Sequence, residues 1–227
     1  MIGLFRTGPR FAGAALVAAC AALAAPSPTA AGELPRVEAT PYYGWRMEGS
    51  FDNIDAGGVS SLEIKDASAY GLILSFNVDV HGQVDVQYSN ERTELQAHGS
   101  GVPSGTTLFD LDVQNWQVGG TYAWSEPDKP VRGFVGFSVG MTRFEPHDSA
   151  FDGDSEFAFS FYGGARIRLA KHLGLRLQGQ WVATRLSSSS EVFCSSAGFC
   201  YITADGEFLD QFELAAGLTF KFGGGSP

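Results

Sequence analysis

Few side chains in this 227-residue chain could carry out chemistry. The candidates are four histidines, His81, His98, His147 and His172, and three cysteines, Cys20, Cys194 and Cys200. A nucleophilic hydroxyl needs a base within hydrogen-bond reach and a third group that orients the base. His81 and His172 fall in short polar connectors, and His98 and His147 in long ones. None stands in mid-strand beside a serine with an acid in register, which disfavours a catalytic role. The segment "HDSAFDGDSE" sets His147, Asp148, Asp152, Asp154 and Glu156 close together, and oxygen ligands at alternating positions suit Ca²⁺. The EF-hand ligand order and its closing glutamate are missing, and runs of like charge usually stay hydrated. No catalytic residue, metal site or cofactor is therefore assigned. Acids in the long connectors, such as Asp52, Asp55, Glu191 and Glu207, suit divalent cations.

The start of the chain bears on compartment. Arg6 and Arg10 precede an apolar run from Phe11 to Ala25, and "APSPTAAGE" offers small residues before a cleavage point near Ala31. These are the parts of a secretory signal peptide, residues 1–31, in a run too short and too alanine-rich for a spanning helix. "VAAC" at Val17–Cys20 also resembles a lipoprotein cleavage box, which would make Cys20 a lipid acceptor. Cleavage after Ala31 leaves Cys194 and Cys200, in "CSSAGFC". An even pair in an exported chain favours a disulfide closing a small loop, and the rival metal site lacks a neighbouring histidine.

The formal charge is −10, and loss of the two leader arginines makes it −12. So acidic a chain argues against nucleic acid as a partner. No segment after the leader is an apolar run long enough for a membrane helix, so membrane residence requires a closed barrel.

The elements that position these residues read as strands. Period-two alternation predicts eight: Val37–Gly49, Ser68–Val78, Gln83–Glu94, Thr107–Trp124, Val131–Phe144, Glu156–Leu169, Leu173–Leu186 and Gln211–Phe222. Several exceed ten residues, beyond the usual five or six of globular strands and enough to cross a bilayer tilted. Connectors near Asp79–Gly82, at Ser125–Pro130 and at Ala170–His172 are short, and those at Phe51–Ala67, Leu95–Thr106, Pro146–Ser155 and Ser187–Asp210 are long. Short and long alternate, so one end of an up-and-down barrel has tight turns and the other extended loops, the asymmetry of transmembrane barrels. "GTTLFDLDVQNW" carries the fourth strand beyond membrane height, as a hairpin whose edge could accept a partner strand.

The two faces differ in size. Phe157, Phe159 and Phe161, then Leu173, Leu175 and Leu177, then Phe212, Leu214, Leu218, Phe220 and Phe222 lie on apolar faces. The opposite faces mix glycine, serine and glutamine with charges: Arg46, Glu48, Asp85, Glu91, Arg132, Arg166, Arg168, Arg176, Glu213 and Lys221. An eight-stranded barrel has an interior only wide enough for side chains to fill. The aromatic faces would overfill it, whereas small residues and paired charges fit. The polar set is thus expected inside, plugging the lumen, and the apolar set against lipid.

The signal peptide, eight alternating segments, connector asymmetry and closing "GLTFKF" together resemble the small eight-stranded outer-membrane barrels of the OmpA-transmembrane, OmpX and opacity-protein type. The resemblance spans residues 32–222 and leaves 223–227, "GGGSP", as a short tail after the terminal aromatic. It implies an all-β, eight-stranded antiparallel up-and-down transmembrane barrel in the Gram-negative outer membrane, with short periplasmic turns and long extracellular loops. It implies a non-enzymatic monomer that serves envelope integrity or surface interaction, in contact with outer-membrane lipid and lipopolysaccharide and open to an extracellular ligand at its loops. Two rivals share a leader: a periplasmic lipocalin-like barrel with the faces inverted, and a lipid A-modifying barrel enzyme.

Overall fold

The computed structural model describes residues 37–47, 50–56, 59–99, 102–124, 129–147, 153–185, 191–194, 200–203 and 208–223. The leader with Cys20, Glu48, Asp148, Asp152 and residues 224–227 lie outside them. Twelve strands run in chain order: β1 (Val37–Met47), β2 (Ser50–Ala56), β3 (Val59–Ile64), β4 (Ala67–Asn77), β5 (Gly82–Gly99), β6 (Val102–Ala123), β7 (Val131–Pro146), β8 (Asp154–Arg168), β9 (Leu173–Arg185), β10 (Glu191–Cys194), β11 (Cys200–Thr203) and β12 (Phe208–Phe222). Eight of them, in the order β1, β4, β5, β6, β7, β8, β9 and β12, form an antiparallel ring. The ring closes where Val37 faces Phe222 and Met47 faces Phe212. That ladder lapses at Thr40 and Pro41, where proline has no N–H to give.

The eight barrel strands begin and end within a few residues of the alternating segments. Three connectors expected as loops differ. The first holds β2 and β3, and β3 pairs with β5 from Val59↔Gly99 to Ile64↔Leu95, continuing along β5 where β4 leaves it at Ala69↔Glu91. The second is nearly absent, because β5 and β6 stay paired to Gly99↔Val102. Both extend the wall beyond the ring, since unpaired backbone groups gain partners by continuing a ladder. The connector before β12 carries the β10–β11 hairpin.

Along each barrel strand burial alternates with the pleat. The outward side is aromatic: Trp45, Trp116 and Trp124 are half exposed, and Phe161 lies against Phe137 at 4.9 Å and stacks on Trp181 at 6.0 Å. The inward side is layered. At the loop end Ile64, Leu95, Leu111, Val113, Phe144 and Leu209 are all sealed from solvent. At the turn end Ala123, Phe134 and Tyr162 form a second apolar cluster. Polar residues fill the space between. Bulky rings enter because glycine stands opposite: a Cβ on Gly71 would come within 2.6 Å of the Tyr42 ring, and one on Gly217 within 2.7 Å of Tyr42 Cβ.

Candidate functional site

The lumen holds the densest set of polar and charged side chains among the described residues. Near the loop end, β1 carries Arg46 inward. Its Nε donates to Glu213 Oε2 at 3.1 Å, its Nη1 to Glu91 Oε2 at 3.4 Å, and its Nη2 to Ser89 Oγ at 2.8 Å. Arg46, Glu91 and Glu213 are each at most 1% exposed, so the charges stand or fall as a set.

In the middle, Gln117 Oε1 accepts from Ser138 Oγ and Ser160 Oγ at 2.7 Å each and from Gln180 Nε2 at 3.2 Å. Thr142 donates to Asn115 Oδ1 at 2.6 Å and meets Thr184 at 2.7 Å. Towards the turns, Asp85 Oδ2 accepts from Arg176 at 3.5 Å and from the Tyr162 hydroxyl at 3.2 Å. Arg176 lies 4.4 Å and Arg166 4.9 Å from the Phe134 ring centroid, within cation–π range. Glu38 meets Lys221 at 3.8 Å and Arg166 at 3.9 Å, and accepts from Gln83 Nε2 at 3.3 Å. Asp85 Oδ1, Asn115 Nδ2, Gln117 Nε2 and the Arg166 Nε and Nη2 are buried without a protein partner. A cavity of about 10 Å³ lies between Tyr42, Ile73 and Arg176. That is room for one water at most, since a water needs roughly 10–15 Å³.

Of the polar set, Arg46, Asp85, Glu91, Arg176 and Glu213 are enclosed, and Arg166, Arg132 and Lys221 are half-buried near the turn end. Arg132 donates to the Val80 carbonyl at 3.0 Å. Arg168 is not enclosed: it ends β8 at the open mouth, where water reaches the same face of the strand. On the apolar set, Phe157, Phe161, Leu177, Phe212, Leu214, Leu218, Phe220 and Phe222 are exposed on the outer wall, and Phe159, Leu173 and Leu175 are half exposed there. Glu38 and Tyr42 also belong to the lumen, and their even spacing from Arg46 along β1 was the signal. Phe134 and Phe144 break the size rule, although each lies an even number of residues from Arg132 along β7, the parity of the lumen face.

The histidines are dispersed. His147 Nε2 lies 2.9 Å from Asp112 Oδ2 on the outer wall, and Arg92 approaches the same carboxylate at 3.4 Å. His81 stacks on Tyr122 at 5.8 Å, and His172 sits exposed in the β8–β9 turn. The His98 side chain lies outside the described residues. Among those residues no three His, Cys, Asp or Glu side chains converge as a metal site. Cys194 and Cys200 are direct partners in the β10–β11 ladder. In the β4–β5 turn, Asp79 Oδ1 accepts from the Gly82 and His81 amides at 2.6 and 2.7 Å, which holds its carboxyl below the usual carboxylate range.

A closed ring with an aromatic exterior is matched by one family description. The family model "Outer membrane protein beta-barrel domain" covers residues 12–222. The chain belongs to that family. It is an outer-membrane barrel, and a water-facing lipocalin arrangement is set aside. Its solved neighbours include Neisserial surface protein A (12% identity, TM-score 0.53, 85% of this chain and 100% of that chain). OprG of Pseudomonas aeruginosa is similar (11%, 0.57, 84% and 97%), as is AlkL in lipid bilayers (16%, 0.53, 89% and 97%). At such identities the likeness is one of fold. No curated protein matches the barrel's sequence.

Proposed function

We propose that this outer-membrane barrel is a non-enzymatic envelope protein whose lumen is closed by its own side chains and whose loop-side wall serves surface interaction. One observation carries the reading. The enclosed Arg46–Glu91–Glu213 set lies in the lumen together with sealed Ile64, Leu95, Leu111, Phe144 and Leu209, so polar and apolar barriers succeed one another along the bore. The buried hydroxyls of Ser138 and Ser160 are committed to Gln117 and to each other, which supports a packing role rather than attack on a substrate. The exposed apolar set, Phe157 through Phe222, contacts hydrocarbon, because a band of this size is tolerated by lipid and not by water. The walls raised by β2–β3 and β5–β6 present strand edges to the exterior, the geometry used in strand addition. Reconstitution into planar bilayers tests the closed bore: rare, small openings are expected, and large, stable open channels would overturn the reading.

A further inference from the structure

We propose that the turn-end mouth of the lumen binds a phosphoryl oxyanion, with Arg166 at its centre. Three arginines stand in one row across adjacent strands. Arg132 of β7 faces Arg166 of β8, and Arg166 faces Arg176 of β9. Like charges directly opposite one another in a ladder repel. Arg168 and Lys221 enlarge the group at the mouth. Against these five cations the described lumen sets two carboxylates at this end, Glu38 and Asp85. Asp85 is engaged by Arg176, Thr121 and Tyr162, and Glu38 reaches Arg166 and Lys221 only at 3.9 and 3.8 Å. Asp79, in the nearby turn, is occupied by backbone amides.

The Arg166 Nε and Nη2 are the decisive atoms. Both are buried and neither has a hydrogen-bond partner. These two N–H groups are the fork that a planar guanidinium offers to a pair of oxygens on one phosphorus. The Phe134 ring lies against both the Arg166 and Arg176 guanidiniums, so the fork is held in place before any ligand arrives. A ligand with more than one negative charge suits a mouth where, among the described lumen residues, cations outnumber acids. The short turns of such barrels face the periplasm, so the phosphoryl group belongs either to a soluble phosphate compound or to an inner-leaflet phospholipid headgroup.

The test uses the refolded full barrel in zwitterionic detergent, titrated calorimetrically with inorganic pyrophosphate. A second arm measures melting by gel mobility in phosphatidylcholine bilayers with and without phosphatidylglycerol. Binding that weakens about tenfold or more in Arg166→Gln, as loss of charge-assisted bonds requires, supports the site. Arg168→Gln, altered only at an exposed position, should weaken it less and keeps the test open if Arg166→Gln fails to fold. Arg143→Gln at the opposite end should bind like the parent. A signal in the pyrophosphate arm assigns the soluble source, and one confined to phosphatidylglycerol assigns the lipid. Absence of signal in both arms, or equal binding by parent, Arg166→Gln and Arg168→Gln, overturns the proposal.

Discussion

Arg46→Met takes the guanidinium away from Glu91 and Glu213 while leaving both carboxylates sealed in the barrel. The wild-type group donates to Glu213 at 3.1 and 2.5 Å, to Glu91 at 3.4 Å and to Ser89 at 2.8 Å. A hydrogen bond to a charged group is worth about 1.5–3 kcal/mol net, but bonds sharing one donor group do not add. The better measure is the cost of breaking a buried ion pair by removing one partner, about 3–5 kcal/mol. Methionine retains most of the arginine's apolar stem, so little of the loss comes from a cavity. The expected destabilisation is therefore about 3–5 kcal/mol, almost all of it stranded charge. Arg46→Met combined with Glu91→Gln and Glu213→Gln should recover at least half, because no uncompensated charge remains. Urea unfolding in phospholipid vesicles, followed by tryptophan fluorescence and gel mobility, reads both numbers. A single-variant loss below about 1 kcal/mol, or a triple variant no better than the single, would refute the reasoning.

Three further outcomes are expected. Gly71→Ala drives a methyl into the Tyr88 carbonyl oxygen and to within 2.6 Å of the Tyr42 ring, and should cost about 1–3 kcal/mol in the same assay. An unchanged urea midpoint would show that the lumen yields more easily than its packing implies. Asp79→Ala removes a carboxylate whose native pKa lies below its unfolded value of about 3.9. That contribution is present above the unfolded value and lost as pH falls through the depressed one, so the gap between parent and variant should narrow from pH 7 to pH 3. A constant gap would remove the charge from the explanation. Cys194 and Cys200, facing each other in β10–β11, should both resist alkylation in denatured protein until reductant is added. Labelling of both without reductant would exclude the disulfide.

The barrel was legible because the pleat writes itself into the sequence. Along β9 the order Leu175, Arg176, Leu177, Gln178 is already a map of two surfaces, and the end of β12 follows from the run closing at Phe222, while its start at Phe208 lies in what read as connector. The connectors were less legible. Nothing in the segment from Ser50 to Ile64 separates a loop from a β2–β3 hairpin that joins a neighbour's ladder, since the partner of β3, the end of β5, lies roughly thirty to forty residues away. The site was legible in parity only. Alternation assigns Arg46, Glu213 and Glu91 to like faces, but the shear that brings β1 beside β12 and within reach of β5 decides that they meet. Residue size misled where a glycine compensates: one ring per level, such as Tyr42 against Gly71 and Gly217, fits a bore that a continuous aromatic face would overfill.

The seam between β1 and β12 joins the first barrel strand to the last, with Val37 opposite Phe222 and a proline interrupting its rungs. Until the last strand is delivered, β1 and β9 keep bare edges that invite foreign strands. Nearly the whole length of the domain must be looped together before the final rungs form, the slowest class of contact. Catching β12 early is thus worth more to the cell than any single interior bond, and a truncation of even that one strand turns a sealed cylinder into an open, adhesive sheet.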